Sequence, residues 1–316
     1  NAQGKYEEAL EWNRKASAIR EKVLGKDHPS TATTYNNIAL VYKDQGKYEE
    51  ALEWYRKASA IWEKVLGKDH PSTATTYDNI ASVYYAQGKY EEALEGYRKA
   101  LAILEKVLGK DHPHTAATYN NIAVVYHAQG KYEEALEWNR KALAIREKVL
   151  GKDHPDTATT YNNIALVYHA QGKYEEALEG YRKALAIREK VLGKDHPHTA
   201  TTYNNIAEVY RSQGKYEEAL EGYRKASAIW EKVLGKDHPH TATTYDNIAS
   251  VYQAQGKYEE ALEELLKAYR IRFRTFGETH QFTKGTRNDM ETVYRKTRNP
   301  KPFPEWLAEA MRSRNA

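Results

Sequence analysis

Apolar residues recur along most of the chain at the spacing of one face of a helix. Tyr35, Ile38, Ala39 and Tyr42 fall at i, i+3, i+4 and i+7, which predicts a helix with one apolar stripe. A second stripe of the same kind follows, consisting of Tyr48, Ala51, Leu52, Tyr55, Ala58, Ile61 and Val65. Neither helix can bury its stripe alone, so the pattern predicts helices that pack against their neighbours along the chain.

This pair of stripes returns every 42 residues. The segment "GKYEEALE" begins at Gly4, Gly46, Gly88, Gly130, Gly172, Gly214 and Gly256, and the segment "GKDHP" begins at Gly25, Gly67, Gly109, Gly151, Gly193 and Gly235. Glycine adopts the backbone conformation that ends a helix at little cost, and proline suits the first turn of the next helix. The recurring glycines and prolines therefore predict two helices per repeat and an all-α fold.

These residues resemble the tetratricopeptide repeat. The positions that match its signature are Tyr35, Ile38, Ala39, Tyr42, Gly46, Tyr48, Ala51, Tyr55 and Ala58. With 42 residues per repeat in place of the usual 34, and with its "LGKDHP", "NNIA" and "QGKYEEAL" segments, the chain looks like the kinesin light chain class. The resemblance covers residues 1–276. It implies a right-handed superhelical solenoid whose first helices line a concave groove for peptides or partner proteins.

Both ends of the chain depart from the repeat. We expect residues 1–276 to form the repeat array, beginning mid-repeat with a second helix, and residues 277–316 to form a degenerate repeat and a capping helix from about Pro304 to Arg314. A second helix without its first predicts an open apolar face at the N-terminal end. Self-association through that face is a further expectation.

Composition narrows the function. A formal net charge of +4 over 316 residues gives no argument for nucleic acid, and no apolar run is long enough to span a bilayer. The absence of cysteine excludes a thiolate metal site or a cysteine nucleophile, and a disulfide-free chain of this size fits a cytoplasmic protein. No phosphate-binding loop or catalytic constellation is present. We expect no enzyme activity, no cofactor and no metal, and the recurrent Asp27 and His28 pair is interpreted as a helix cap.

Differences between the repeats mark one stripe of the first helix as a candidate peptide-binding surface. One position is asparagine in all six first helices; these ladder asparagines are Asn37, Asn79, Asn121, Asn163, Asn205 and Asn247. A carboxamide both donates and accepts, so such a ladder can pair with the backbone of an extended peptide of any sequence, as the resemblance also implies. The alternative is that the asparagines bond neighbouring helices.

Three further positions complete this first-helix stripe. The position before each ladder asparagine holds Asn36, Asp78, Asn120, Asn162, Asn204 and Asp246. The other two positions vary: one holds Leu40, Ser82, Val124, Leu166, Glu208 and Ser250, and the other holds Lys43, Tyr85, His127, His169, Arg211 and Gln253. Variation beside a constant amide is typical of side chains that select a ligand.

The expected partner is a protein or an extended peptide with acidic and bulky apolar residues. Lysine, arginine and histidine in the stripe favour a carboxylate-bearing ligand, and Tyr85 offers an apolar face. Three acidic residues of the stripe oppose this preference locally: Asp78, Asp246 and Glu208. Binding is expected to weaken as pH rises through the histidine range. The alternatives are a structural scaffold, a self-assembling repeat array, or the sensor array of a larger nucleotide-binding regulatory protein.

One second-helix position alternates between large and absent side chains. It holds Trp12, Trp54 and Trp138 in three repeats and Gly96, Gly180 and Gly222 in three others. A tryptophan patch facing a partner is one interpretation, and packing against the lengthened helices is the interpretation that the sequence favours.

Overall fold

The structure is a computed structural model that describes residues 2–313, with side chains from residue 6 onward. This part of the chain forms fifteen α-helices and no strand. They are α1 (Ala2–Leu24), α2 (Pro29–Asp44), α3 (Tyr48–Leu66), α4 (Pro71–Ala86), α5 (Tyr90–Val107), α6 (Pro113–Ala128), α7 (Tyr132–Val149), α8 (Pro155–Ala170), α9 (Tyr174–Val191), α10 (Pro197–Ser212), α11 (Tyr216–Leu234), α12 (Pro239–Ala254), α13 (Tyr258–Phe276), α14 (Gln281–Thr297) and α15 (Phe303–Arg312). None of these helices is long and apolar enough to cross a membrane. The predicted repeat array begins at residue 1 and the predicted C-terminal region ends at residue 316. Residues 1 and 314–316 lie outside the described residues.

Each first helix begins in the same way. In α4, Pro71 occupies the first turn and the backbone N–H of Ser72 donates to His70 Nδ1 at 3.1 Å. The equivalent histidine caps α2, α6, α8, α10 and α12. The predicted capping role is therefore confirmed for the histidine, because its side chain satisfies a backbone donor that the helix leaves open. The aspartate next to it has another use: Asp69 forms an exposed ion pair with Lys106. Within the described residues no group of three or more potential metal ligands occurs.

Glycine ends the helices as the sequence predicts. Gly67, directly after α3, has φ 91° and ψ 162°, a combination that is essentially open to glycine alone. Gly46, in the turn between α2 and α3, has φ 74°. A side chain at either position would strain the backbone, so these glycines fix where each helix stops.

Alanine and the apolar stripes form the interfaces between helices. Ala39, Ala51 and Ala58 are fully buried, and Leu52 and Tyr55 are 2% and 1% exposed. Burial of a side chain such as Leu52 contributes roughly 2 kcal/mol to the free energy of unfolding, whereas the alanines let the backbones approach.

The helices fall into two compact units, residues 1–171 and residues 172–316. In the first unit, α2 packs with α3, α4 with α5 and α6 with α7, and each second helix also packs against the first helix that follows it. In the second unit, α10 packs with α11, α12 with α13, and α13 with α14. Consecutive helix pairs thus pack in tandem within each unit, which confirms the predicted all-α repeat fold.

The last two helices complete the second unit. Met290 and Val293 of α14 are fully buried and Tyr294 is 4% exposed, as the degenerate repeat predicts. Phe303 and Leu307 of α15 join the same apolar cluster. The last helix begins at Phe303, one residue before the predicted start at Pro304, and its described part ends at Arg312. The predicted end at Arg314 lies outside the described residues.

Candidate peptide-binding face of the first helices

All residues of the first-helix stripe lie on α2, α4, α6, α8, α10 and α12. Most of them are half-exposed, and Leu40 and Leu166 are 45% and 39% exposed. The exception is Asn120, which is only 5% exposed. The stripe is therefore accessible in both units, and it combines amides with apolar side chains.

Side-chain hydrogen bonds bring the stripes of neighbouring first helices together. In the first unit, Asn79 Nδ2 of α4 donates to Asn36 Oδ1 of α2 at 2.9 Å. One repeat further along, the Thr118 hydroxyl of α6 donates to Asp78 of α4 at 3.0 Å. In the next repeat, Asn120 Nδ2 of α6 donates to Thr160 Oγ1 of α8 at 3.1 Å. In the second unit, Asn247 Nδ2 of α12 donates to Asn204 Oδ1 of α10 at 2.9 Å. Equivalent positions in consecutive repeats are therefore adjacent within each unit.

The ladder asparagines are not all in the same state. Asn79 and Asn247 each use one amide donor to bond a neighbouring helix, which is the structural role that the sequence left open. Asn121 and Asn163 are half-exposed, and their side chains make no hydrogen bond within the described residues. In these two repeats the donors and the acceptor of the carboxamide are available to a ligand.

A layer of buried arginines lies beneath the stripe, and the sequence did not single it out. Arg146 Nη1 donates to the carbonyl oxygen of Asp156 at 2.9 Å and to Thr160 Oγ1 at 2.8 Å. Arg188 bonds Thr202 Oγ1 in the same way, at 2.7 Å. Burial lowers the pKa of both arginines. These side chains fix consecutive repeats in register, and their recurrence at 42-residue steps was the available signal.

Two aspartates stand where the other first helices have asparagine. Burial raises the pKa of Asp78 to about 7, and the hydrogen bond from Thr118 opposes that rise only in part. Asp246 forms an ion pair with Arg272, yet burial outweighs the arginine and raises the pKa of this carboxyl to about 6. The position equivalent to Arg272 is Leu104 for Asp78, so the two aspartates differ in having a cationic partner.

The predicted cationic residue Arg211 is already paired. Its Nε lies 3.1 and 3.0 Å from the two carboxylate oxygens of Glu208, and the Tyr223 hydroxyl donates to the same carboxylate. This hydrogen-bonded carboxylate raises the pKa of Arg211. The positive charge that the sequence assigned to an acidic ligand is therefore balanced within the helix itself, at i and i+3.

Two other members of the stripe each lie beside an aromatic ring of the following second helix. The ring centroid of Tyr85 lies 5.9 Å from that of Tyr90, and the ring of His127 lies 5.7 Å from that of Tyr132. Burial lowers the pKa of His127, and its Nε2 is buried without a hydrogen bond. This part of the stripe is more apolar than its residue types suggested.

Comparison with known proteins agrees with this architecture. The sequence profile described as "Tetratricopeptide repeat" matches residues 1–61, 30–106, 75–148, 115–190, 156–224, 198–273 and 241–301. No curated protein sequence matches the chain.

Three solved structures illustrate the structural likeness. The nearly identical TPR-like repeats of a candidate kinesin light chain from Podosopora anserina are 32% identical, with a TM-score of 0.53 over 65% of this chain and 97% of that one. BtubC (BKLC) from P. vanneervenii is 23% identical, with a TM-score of 0.58 over 73% of this chain and 91% of that one. A STAND protein with a tetratricopeptide repeat sensor from Pyrococcus horikoshii is 18% identical, with a TM-score of 0.65 over 94% of this chain and 43% of that one. The last two show likeness of fold alone.

The repeat profile covers almost the whole chain, and its repeats are similar to those of kinesin light chain-like proteins. The chain therefore belongs to the tetratricopeptide repeat family, a fold known for protein–protein interaction and scaffolding.

Proposed function

We propose that this chain is a noncatalytic module that binds an extended segment of a partner protein along the first-helix stripe. The observation that supports this most is the state of Asn121 and Asn163. They lie on consecutive first helices that are in contact, they are half-exposed, and their carboxamides carry no hydrogen bond within the described residues. Two such amides can bond the backbone of an extended peptide whatever its sequence.

The varied positions of the stripe supply the side-chain preference. Leu40 and Leu166 expose large apolar surfaces, and Tyr85 adds an aromatic face beside Tyr90. These residues favour bulky apolar side chains in the ligand. A preference for acidic residues rests chiefly on Lys43, because Glu208 balances the charge of Arg211.

A peptide selection with the full chain tests the proposal. Extended 12-residue peptides are selected from a random library on the wild type, and their affinities are compared with those for the double variant Asn121→Ala, Asn163→Ala. Each lost hydrogen bond costs about 1 kcal/mol, so removing two amides that each make one or two bonds should weaken binding roughly thirtyfold or more.

The control removes two amides from another surface of the same repeats. Gln129 and Gln171 lie in the turns after α6 and α8. Their side-chain amides donate to Glu91 and Glu133, respectively. The double variant Gln129→Ala, Gln171→Ala should bind the selected peptides within about threefold of the wild type. Equal affinity of the asparagine variant, or a selection that yields no peptide, would move the function away from this face.

Protonation of the histidines gives a second test. A protonated imidazole attracts a carboxylate, and this attraction is lost as pH rises through the imidazole pKa. Burial lowers that pKa for His127, so its contribution should disappear below the ordinary histidine range. A titration of a bound acidic peptide from pH 4 to 8 measures this, because the window extends below the ordinary histidine pKa. A flat response would remove the histidines from the binding site.

Self-assembly and a sensor role remain alternative predictions, as does the cytoplasmic location. Self-assembly would use large apolar side chains of α1, where Trp12 is 63% and Val23 is 71% exposed. Multi-angle light scattering across protein concentrations distinguishes self-assembly from peptide binding. Growth of the particle mass together with no peptide preference would favour the self-assembling array over peptide binding.

A further inference from the structure

In two repeats of the first unit a tryptophan of the second helix packs on a tyrosine of the preceding first helix. The ring centroids of Tyr35 and Trp54 are 5.1 Å apart at 62°, and those of Tyr119 and Trp138 are 5.4 Å apart at 51°. A lysine ammonium group lies 4.4 Å from the centroid of each indole. The chain thus builds the same indole site twice, with a tyrosine on one side and a lysine on the other.

The repeat between these two keeps the frame of the site without the indole. Its second helix, α5, has Gly96 at the tryptophan position. The Tyr77 hydroxyl donates to Glu63 at 2.9 Å, as Tyr35 does to Glu21 at 2.9 Å. Lys99 bonds Glu95 at 2.6 Å, as Lys57 does Glu53. The residues around the missing ring therefore hold the same arrangement.

The space left at Gly96 is a recess of about 420 Å³ between α3 and α5, within the volume range of ligand pockets. Its apolar lining includes Tyr77, Ile80 and Tyr84 of α4, while Arg56 and Glu92 add charged groups. A Cβ atom at position 96 would lie 2.9 Å from Ala81 Cβ. Glycine therefore also lets α5 pack closely against α4 while the recess stays open.

We propose that this recess is a socket for an aromatic side chain, an indole before a phenyl ring, presented by a partner protein. The occupant follows from the chain itself, which fills the equivalent place with its own indole at Trp54 and Trp138. The carboxylates of Glu63 and Glu92 offer acceptors for an indole N–H, and Lys99 is placed to lie over the ring as Lys57 lies over Trp54.

The socket is separate from the peptide-binding face proposed above. On α4 its residues Tyr77, Ile80 and Tyr84 form one stripe, whereas Asp78, Asn79 and Ser82 belong to the first-helix stripe, about half a turn away. A partner can therefore occupy either surface alone. The two proposals fail independently, since each has its own variants.

The second unit provides a matched control at Gly222. The surrounding sequence "EEALEGYRKA" is identical in the two repeats, and a Cβ atom at 222 would meet Ala207 Cβ at 2.8 Å, much as at position 96. However, Lys225 Nζ lies 5.7 Å from the Tyr203 ring centroid, whereas no lysine of the described residues lies over the ring of Tyr77. The Tyr203 ring therefore already has a cation over its face, and the Tyr77 ring, within the described residues, does not.

The test measures binding of N-acetyl-5-fluorotryptophan amide to the full chain by ¹⁹F NMR. Burial of one aromatic side chain predicts saturable binding with a dissociation constant on the order of 1 mM. Gly96→Trp fills the recess from within and should weaken binding at least tenfold. Gly222→Trp carries the same steric change and should bind within about twofold of the wild type, as should Asn121→Ala with Asn163→Ala.

Two more variants keep the proposal testable if Gly96→Trp does not fold. Tyr77→Leu removes the aromatic floor at similar volume and should weaken binding at least fivefold. Trp54→Gly opens an equivalent recess over Tyr35 and should add a second binding site. The proposal is overturned if the wild type shows no saturation up to about 10 mM. It is equally overturned if a folded Gly96→Trp or Tyr77→Leu variant binds like the wild type, or if N-acetyl-leucine amide competes equally well.

Discussion

The buried carboxyl group of Asp78 makes the stability of the first unit depend on pH. Asp78 accepts hydrogen bonds from the Thr118 hydroxyl and forms no ion pair among the described residues. Replacement by asparagine retains a partner for Thr118, because Asn120 bonds Thr160 in the equivalent place. The substitution Asp78→Asn therefore removes a carboxylate without removing the contact, and we expect it to stabilise the unit at high pH.

The size and sign of this effect follow from the pKa. Burial raises the pKa of Asp78 from the ordinary 3.8 to about 7, so between these values the folded chain binds more protons than the unfolded chain, and its stability falls as pH rises. At 1.36 kcal/mol per pKa unit the full cost above pH 7 is about 4 kcal/mol. Because the side chain keeps some solvent exposure, solvent screening reduces this to about 2 kcal/mol. Below pH 3.8 the cost is absent.

Amide hydrogen exchange measures the effect locally, since repeats open in separate steps. At pH 8, Asp78→Asn should increase the protection of amides in α4 and α6 about thirtyfold, which corresponds to 2 kcal/mol. At pH 4 the difference should be within about twofold. Asp69→Asn removes an exposed carboxylate that pairs with Lys106 and should change protection little at either pH. Equal protection of wild type and Asp78→Asn at pH 8, or a gain of the same size at pH 4, would show that the buried Asp78 carboxylate does not destabilise the unit at high pH.

Two further predictions concern glycine and the paired arginine. Gly67→Ala should lower the free energy of unfolding by about 1–3 kcal/mol, because Gly67 has φ 91° and ψ 162°. Gly285→Ala, in the interior of α14 with open space around it, should raise it by about 0.5–1 kcal/mol. Chemical denaturation followed by circular dichroism compares the two, and a loss of stability in both would contradict the backbone argument. Glu208→Leu removes the carboxylate that balances Arg211 and should tighten binding of a tetraglutamate peptide about threefold, as measured by fluorescence polarisation; Ser250→Leu is the matched control, and unchanged affinity for Glu208→Leu would place Arg211 outside the binding site.

The fold could be predicted because its determinants are local and repeated. The position of Pro71 and Gly67 fixes where α4 begins and α3 ends, and both residues recur in each repeat. The alanines at 39, 51 and 58 indicate close contacts between helices, and all three are fully buried. Each of these features depends on the chemistry of one residue and its neighbours in the chain.

The chemistry of the candidate site was less predictable, because it depends on contacts between helices. The sequence gives no direction for the amide of Asn79, which donates to Asn36 in the preceding repeat. The i, i+3 spacing of Glu208 and Arg211 is visible in the sequence, but the spacing alone does not decide whether the arginine pairs with Glu208 or with a ligand carboxylate. The burial of Arg146 under Thr160 and the recess at Gly96 follow from the register of three helices, which periodicity alone does not fix.

The side-chain amide signals of Asn121 and Asn163 report directly whether a peptide binds the ladder asparagines. They can be followed by ¹H–¹⁵N NMR of the full chain while a selected peptide is added. Both carboxamide signals should shift in proportion to the bound fraction, while those of Gln129 and Gln171 should stay in place. If the Asn121 and Asn163 amides remained unshifted at saturating peptide, binding through the ladder asparagines would be wrong.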